Sequence, residues 1–187
     1  MSDIPQSRRG FLKTSGLTFA FTVAGVSIQL TPAQAREKGA SLNRLTELQA
    51  TTLDYLAESI VPGASKLGVV HFLDSQLSAS PEDSLLMLRY LGVPSPHLDF
   101  YSAGLDSSAR AAKDLYGKSL DRLSSDQLEE LVNVISTDKV VDWQGPPASF
   151  FYFVLRSDAV DTVYGTQAGF KSLEIPYMAH IQPPTNW

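Results

Sequence analysis

Three histidines are the side chains best suited to chemistry in this sequence, and their spacing does not build a catalytic or metal site. His71, His97 and His180 are separated by 26 and 83 residues, unlike the short spacing with which two histidines of one helix bind zinc. We expect His71 to be a partly buried histidine whose ring nitrogens are hydrogen-bonded, because it falls in a helical segment. His97 follows two prolines and is expected to be solvated. For His180, a packing or interface role is favoured over catalysis.

Other catalytic arrangements are also absent from the sequence. The chain contains no cysteine, which excludes a disulfide, a thiolate nucleophile, a cysteine-ligated metal and a covalently attached c-type haem. It has no Gly-x-Ser-x-Gly elbow and no Gly-x-Gly-x-x-Gly or Walker loop. The acidic pairs Glu82-Asp83 and Glu129-Glu130 occupy helix positions where solvation or the helix dipole accounts for them. The sequence does not exclude a pair of carboxylates of the kind that glycosidases use. We predict no catalytic, cofactor-binding or metal-binding residue.

The charge balance restricts the partners of the chain. Its formal net charge is −5, from 15 basic and 20 acidic residues, and the basic residues beyond residue 35 form no stripe. Nucleic-acid binding requires a basic surface, so this class is excluded. Direct adhesion to an anionic lipid surface is disfavoured for the same reason, and membrane association is expected only through partners.

The elements that would position any functional residue are helical. Capping boxes begin at Thr46 and Ser124, each followed three residues later by glutamine. Helical spacing of apolar residues predicts helices over about 47–61, 69–77, 81–91, 98–116, 125–135 and 150–164. No alternating strand of useful length stands out after residue 35. The prediction is a mainly α fold, a compact domain of about six helices with a long irregular proline-rich tail over 165–187.

The N-terminus carries a twin-arginine export pattern over residues 7–13, consisting of Arg8, Arg9, Phe11, Leu12 and Lys13. The following residues 15–30 are apolar but diluted by polar residues and glycine, and Ala33-Gln34-Ala35 is a small-x-small cleavage site. The apolar run of about 16 residues is shorter than the ~20 of a membrane-spanning helix, although an uncleaved anchor is the alternative. We predict a cleaved signal peptide over 1–35, a single domain over 36–187, and location in the periplasm.

The export route itself indicates a partner. Twin-arginine transport moves proteins that are already folded, typically because a cofactor is inserted before export. This chain has no cofactor motif of its own. Either it folds too fast for the unfolded route, or it escorts a cofactor-loaded partner.

Several stretches resemble the gluconate 2-dehydrogenase subunit 3 family. The resemblance is carried by Trp143-Gln144-Gly145-Pro146-Pro147, by 155–159, 163–165 and 176–187, and upstream by 45–49, 60–64, 68–74, 116–117 and 123–127. No single motif is diagnostic, but their order and spacing together cover nearly all of the chain after residue 35.

The resemblance implies a non-catalytic small subunit of a membrane-associated flavin dehydrogenase complex. Its large partner would be an FAD-dependent protein of the glucose–methanol–choline type that oxidises a sugar, sugar acid or alcohol. A cytochrome c subunit with haem c often completes such complexes at the outer face of the inner membrane. The small subunit would serve as export escort and stabilising subunit. The alternatives are a free-standing exported enzyme of unknown class, using His180 and a nearby tyrosine, or a helical periplasmic binding module.

The C-terminal tail contains candidate interface residues. Apolar and aromatic side chains are more frequent there than a free loop requires, and its prolines lower the entropy lost on ordering. We predict that Tyr177, His180 and Trp187 help to bind the large subunit, since aromatic anchors dominate many interfaces. The alternative is that the tail packs against this chain's own helices.

Overall fold

The computed structural model describes residues 18–174. Within this range the chain forms a two-stranded sheet, eight α-helices and one 3-10 turn, so the prediction of a mainly α fold is confirmed. The elements are β1 (Phe19–Val23), β2 (Val26–Leu30), α1 (Pro32–Glu37), α2 (Glu47–Ile60), α3 (Val69–Ser78), α4 (Met87–Tyr90), α5 (Leu98–Tyr116), the 3-10 turn (Leu120–Arg122), α6 (Ser125–Ser136), α7 (Ala148–Tyr164) and α8 (Gln167–Ser172).

Two of the long helices begin at the predicted capping boxes. The Thr46 hydroxyl accepts from the Gln49 N–H at 3.3 Å, and the Gln49 side chain accepts from the Thr46 N–H at 3.1 Å. Ser124 and Gln127 repeat this pair at the start of α6, with the same two distances. Each cap satisfies backbone donors that a helix start leaves unpaired, which is worth about 1 kcal/mol. These helix starts are therefore local properties of the sequence.

Helix α7 lies at the centre of the helical body. It packs against α2, α3, α4, α5, α6 and α8, and it is apolar nearly all round, as expected of a helix with neighbours on most sides. It crosses α5 closely at Gly104, where any Cβ atom would overlap the ring of Phe151. The main core is built around this crossing and includes the fully buried Tyr101, Leu53 and Leu131.

The segment between α3 and α5 differs from its prediction. Instead of a helix over about 81–91, only α4 (Met87–Tyr90) is helical, and Leu86 is extended at φ −67° and ψ 144°. The Gln76 side chain accepts from the Leu85 N–H and the Asp158 carboxylate accepts from the Met87 N–H, both at 2.8 Å. These tertiary hydrogen bonds hold the backbone extended, and sequence spacing gave no sign of them.

A β-hairpin and α1 pack against α3 at the N-terminal side. Strands β1 and β2 are antiparallel, with Phe19 opposite Leu30 and Val23 opposite Val26. The two-residue turn places Ala24 and Gly25 at φ 48° and 81°, the left-handed conformations that a tight hairpin turn requires. The hairpin lies within residues 1–35, which the sequence assigned to the signal peptide, and the structure describes no strand between residues 36 and 174. We call residues 18–40 the N-terminal layer.

Candidate functional site

Two buried titratable groups, the Asp158 carboxyl in the middle of α7 and the Tyr101 hydroxyl in α5, have strongly shifted pKa values. Asp158 is fully buried and accepts hydrogen bonds from the Met87 N–H and the Tyr101 hydroxyl. Burial raises the pKa of Asp158 to about 7, although both hydrogen bonds act in the opposite direction. Burial and the adjacent carboxyl also raise the pKa of Tyr101 well above its usual range.

This pair joins elements and does not form an active site. Tyr101 and Asp158 are both 0% exposed, so a substrate cannot reach either group without opening of the core. The carboxyl links the start of α4, the first turn of α5 and the middle of α7. A perturbed pKa often marks a catalytic residue, but here it follows from a structural junction.

The burial and hydrogen bonding of His71 and His97 agree only in part with the sequence-based expectations. His71 is buried, as expected, and its Nε2 lies 3.1 Å from the Ala40 carbonyl oxygen. The expectation that both ring nitrogens are hydrogen-bonded was wrong, because Nδ1 has no partner among the described residues. Burial lowers the pKa of His71. The expectation that His97 is solvated was wrong. It is 8% exposed and its Nε2 lies 3.0 Å from the Val93 carbonyl oxygen, because the loop folds back over it.

An open cleft of about 670 Å³ runs beside the C-terminal half of α5. Its polar walls include three cations, Arg110, Lys113 and Lys118, and the carboxylate of Asp106. Asp106 accepts a hydrogen bond from the Gln49 side chain at 3.1 Å, which joins α2 to α5. The cleft has an excess of positive charge but no histidine in its lining. Over residues 18–174, no group of three or more histidine or carboxylate side chains could hold a metal ion.

The residues predicted to function lie at the two ends of the chain. Arg8, Arg9, Phe11, Leu12 and Lys13 precede the described residues, and Tyr177, His180 and Trp187 follow them. Their roles therefore stay predictions. No helix among the described residues is long and apolar enough to span a membrane.

Comparison with known proteins assigns the helical body to a family. The sequence profile of the gluconate 2-dehydrogenase subunit 3 family matches residues 47–180. The chain belongs to this family. No curated protein and no solved structure shows significant similarity to it. Membership implies that the chain is a small subunit of a dehydrogenase complex.

The family match coincides with a structural division. It begins at Glu47, the first residue of α2, and covers every later described element. The N-terminal layer precedes it. A signal for this layer was present in the sequence, because apolar residues alternate with small or polar ones from Phe19 to Leu30 around Ala24-Gly25. The same polar residues also fit the diluted apolar segment of an export signal, so the composition of residues 15–30 does not distinguish the two.

Proposed function

We propose that this family member is the non-catalytic small subunit of a periplasmic FAD-dependent dehydrogenase complex. Its partner is a flavoprotein of the glucose–methanol–choline type that oxidises a sugar, sugar acid or alcohol, and a cytochrome c subunit with haem c completes some of these complexes. The chain escorts the flavoprotein through the twin-arginine route and stabilises it. The family match over 47–180 is the observation that carries this proposal.

The division of labour follows from the chemistry of export. A flavoprotein binds FAD as it folds, so it must cross the membrane folded. The twin-arginine pattern at Arg8 and Arg9 would supply the address for both chains. The rival proposal of a free-standing enzyme gains no support from the described residues, because the perturbed pair Tyr101–Asp158 is inaccessible.

An exposed apolar face of α7 supports the proposal that the flavoprotein binds on this side of the chain. Phe153 and Val160 lie seven residues apart on one face of α7 and are 40% and 37% exposed. The ring of Phe153 stacks on Phe150 at 6.5 Å between centroids. Exposed aromatic residues on a rigid helix are typical anchors of interfaces. We propose that this face acts together with Tyr177, His180 and Trp187 of the tail.

Co-expression with the flavoprotein tests the escort role. We expect the tagged chain to recover the flavoprotein from the periplasm with a flavin absorbance spectrum, whereas the small subunit alone is colourless and has no dehydrogenase activity. Arg8→Lys combined with Arg9→Lys should retain both chains in the cytoplasm. Periplasmic flavoprotein in the presence of this double variant would contradict the escort role, and flavin bound to the isolated small subunit would contradict the non-catalytic role.

Two truncations test the docking side. Truncation after Glu174 leaves α8, which packs against α7, and it should abolish recovery of the flavoprotein without changing the melting temperature of the small subunit. Truncation after Thr166 also removes α8 and should lower the melting temperature. If truncation after Glu174 lowers the melting temperature equally, the tail belongs to the core and the docking proposal fails.

A further inference from the structure

The predicted cleavage site for the export signal lies inside a folded helix. Ala33, Gln34 and Ala35 belong to α1, and Ala35 is fully buried. Helix α1 begins at a complete capping box, in which the Gln34 N–H donates to Thr31 Oγ1 at 3.2 Å and the Thr31 N–H donates to Gln34 Oε1 at 3.0 Å. A peptidase needs an extended, accessible segment, so a cut after Ala35 requires local unfolding of this layer.

The residues on both sides of this site are part of one apolar cluster. Phe21 and Leu30 come from the hairpin, Ala35 from α1, and Ala40 from the loop that follows. A cut after Ala35 would separate three of these four residues from the body. The Ser41 N–H also donates to the Thr22 carbonyl at 2.9 Å, so the chain after the site is bonded to the strand before it.

The layer covers residues of α3 that belong to the helical body. The ring of Phe19 lies 6.1 Å from that of Phe72, and the ring of Phe21 lies 6.0 Å from that of His71, as distances between centroids. Removal of the hairpin would expose Phe72, which is 4% exposed with it in place. The hairpin therefore occupies a face that the body does not cover by itself.

At Gly68, the backbone of the body lies in close contact with the backbone of the layer. It precedes α3 at φ 83°, and any Cβ atom there would overlap the Pro32 carbonyl group at the start of α1. Gly63, in the same loop, also has a positive φ of 95°, but a Cβ atom there would meet nothing within 4 Å. The close approach at Gly68 is thus a contact with the layer and not a general property of the loop.

We propose that the N-terminal layer is a permanent part of the folded domain and that the chain is not cut after Ala35. The twin-arginine residues precede the layer, so retention is compatible with their proposed role as an export address. The proposal is independent of the identity of the partner. It opposes the sequence-based prediction of a domain that starts at Arg36.

The melting temperatures of two shortened chains test the proposal independently of whether the chain is exported. A chain lacking residues 2–17 should melt within about 2 °C of the full chain, because it keeps the layer. A chain starting at Arg36 should melt roughly 5–10 °C lower, because the α3 face loses its cover. Equal melting temperatures for the Arg36 chain and the full chain would overturn the proposal.

The two glycines provide a matched control within the full chain. Gly68→Ala and Gly63→Ala both carry the strain of a positive φ, but only Gly68→Ala meets the Pro32 backbone. We expect Gly68→Ala to lower the melting temperature more than Gly63→Ala by roughly 5 °C. Equal losses of melting temperature in the two variants would show that the layer is not packed closely against Gly68, and would contradict a permanent layer.

The intact mass of the chain recovered from periplasm decides processing directly. Retention predicts a first residue at or before Thr18. A chain that begins at Arg36 would overturn retention while leaving the export proposal intact. Recovery from cytoplasm alone would contradict the export proposal, and the melting comparison would then decide retention by itself.

Discussion

The N-terminal layer and the helical body are stabilised in different ways. The body has a continuous core from six of the helices, with the buried Asp158 carboxyl joining three of them. The layer has a separate cluster of four buried apolar residues and contacts the body mainly through α3. Only the body falls within the family match. The difference indicates that the body forms its own core apart from one face of α3, which the layer covers, and that the layer depends on the body for its order.

The largest effect is expected in the body, from Asp158→Ala. This change leaves the buried Met87 N–H and Tyr101 hydroxyl without their acceptor, and we expect a loss of about 3 kcal/mol in the free energy of unfolding. Urea denaturation measures it. Asp114→Ala on the exposed side of α5 is the control and should stay within about 0.5 kcal/mol. A loss below about 1 kcal/mol for Asp158→Ala would show that the carboxyl is not a structural junction.

A smaller loss is expected from Gly104→Ala at the crossing of α5 and α7. The added methyl group overlaps the Phe151 ring, and overpacking of this kind costs about 2 kcal/mol. The neighbouring change Ser102→Ala adds no atom to the crossing and serves as control. If Gly104→Ala and Ser102→Ala have the same melting temperature, the two helices can move apart more easily than the core packing indicates.

The pH dependence of stability should change with Asp158→Asn. The folded-state pKa of Asp158 is about 7, above its ordinary value near 4, so the folded state binds this proton more tightly than the unfolded state. Its contribution is therefore present at low pH and is lost as the pH rises from about 4 through 7. We expect the wild type to lose stability relative to Asp158→Asn between pH 5 and pH 8.

The difference in stability between the wild type and Asp158→Asn separates the contribution of Asp158 from that of His71. Burial lowers the pKa of His71, so the contribution of His71 has the opposite sign: it increases as the pH rises towards about 6.5 and is complete above that value. Both proteins contain His71, and its contribution cancels in the difference. Parallel stability curves over pH 5–8 would contradict a raised pKa for Asp158.

The smallest effect on the body is expected from Phe21→Ala in the layer. Loss of this ring should increase amide hydrogen exchange in β1, β2 and α1, while the amides of α7 keep their protection, because the layer can open alone. Ile28→Ala, at the paired but more exposed position, should have the weaker effect. If Phe21→Ala reduces protection in α7 as well, the layer and the body unfold as one unit and the comparison between them fails.

Local sequence was sufficient for those elements whose start or end depends on neighbouring residues. The capping boxes at Thr46 and Ser124 were predictable, because side chains within four residues satisfy backbone donors there. The helix from Leu98 to Tyr116 was predictable from the helical spacing of its apolar residues and from Gly117, which ends it in the left-handed conformation. The hairpin was also encoded locally, by alternation around Ala24-Gly25. It was missed because the same residues fit the composition of an export segment, which has no tertiary structure of its own.

Only the tertiary structure decided the features that join residues far apart in the chain. Sequence spacing could not show that Asp158 would accept from Met87, 71 residues earlier, and so prevent a longer helix there. It could not show that His97 is buried beneath its own loop, or that Gly68 lies against Pro32. The sequence by itself determined helix starts, the mainly α fold and the family resemblance. Burial of a charge, close backbone approach and the covering of α3 depend on which surfaces meet, and that is set by the packing of the whole chain.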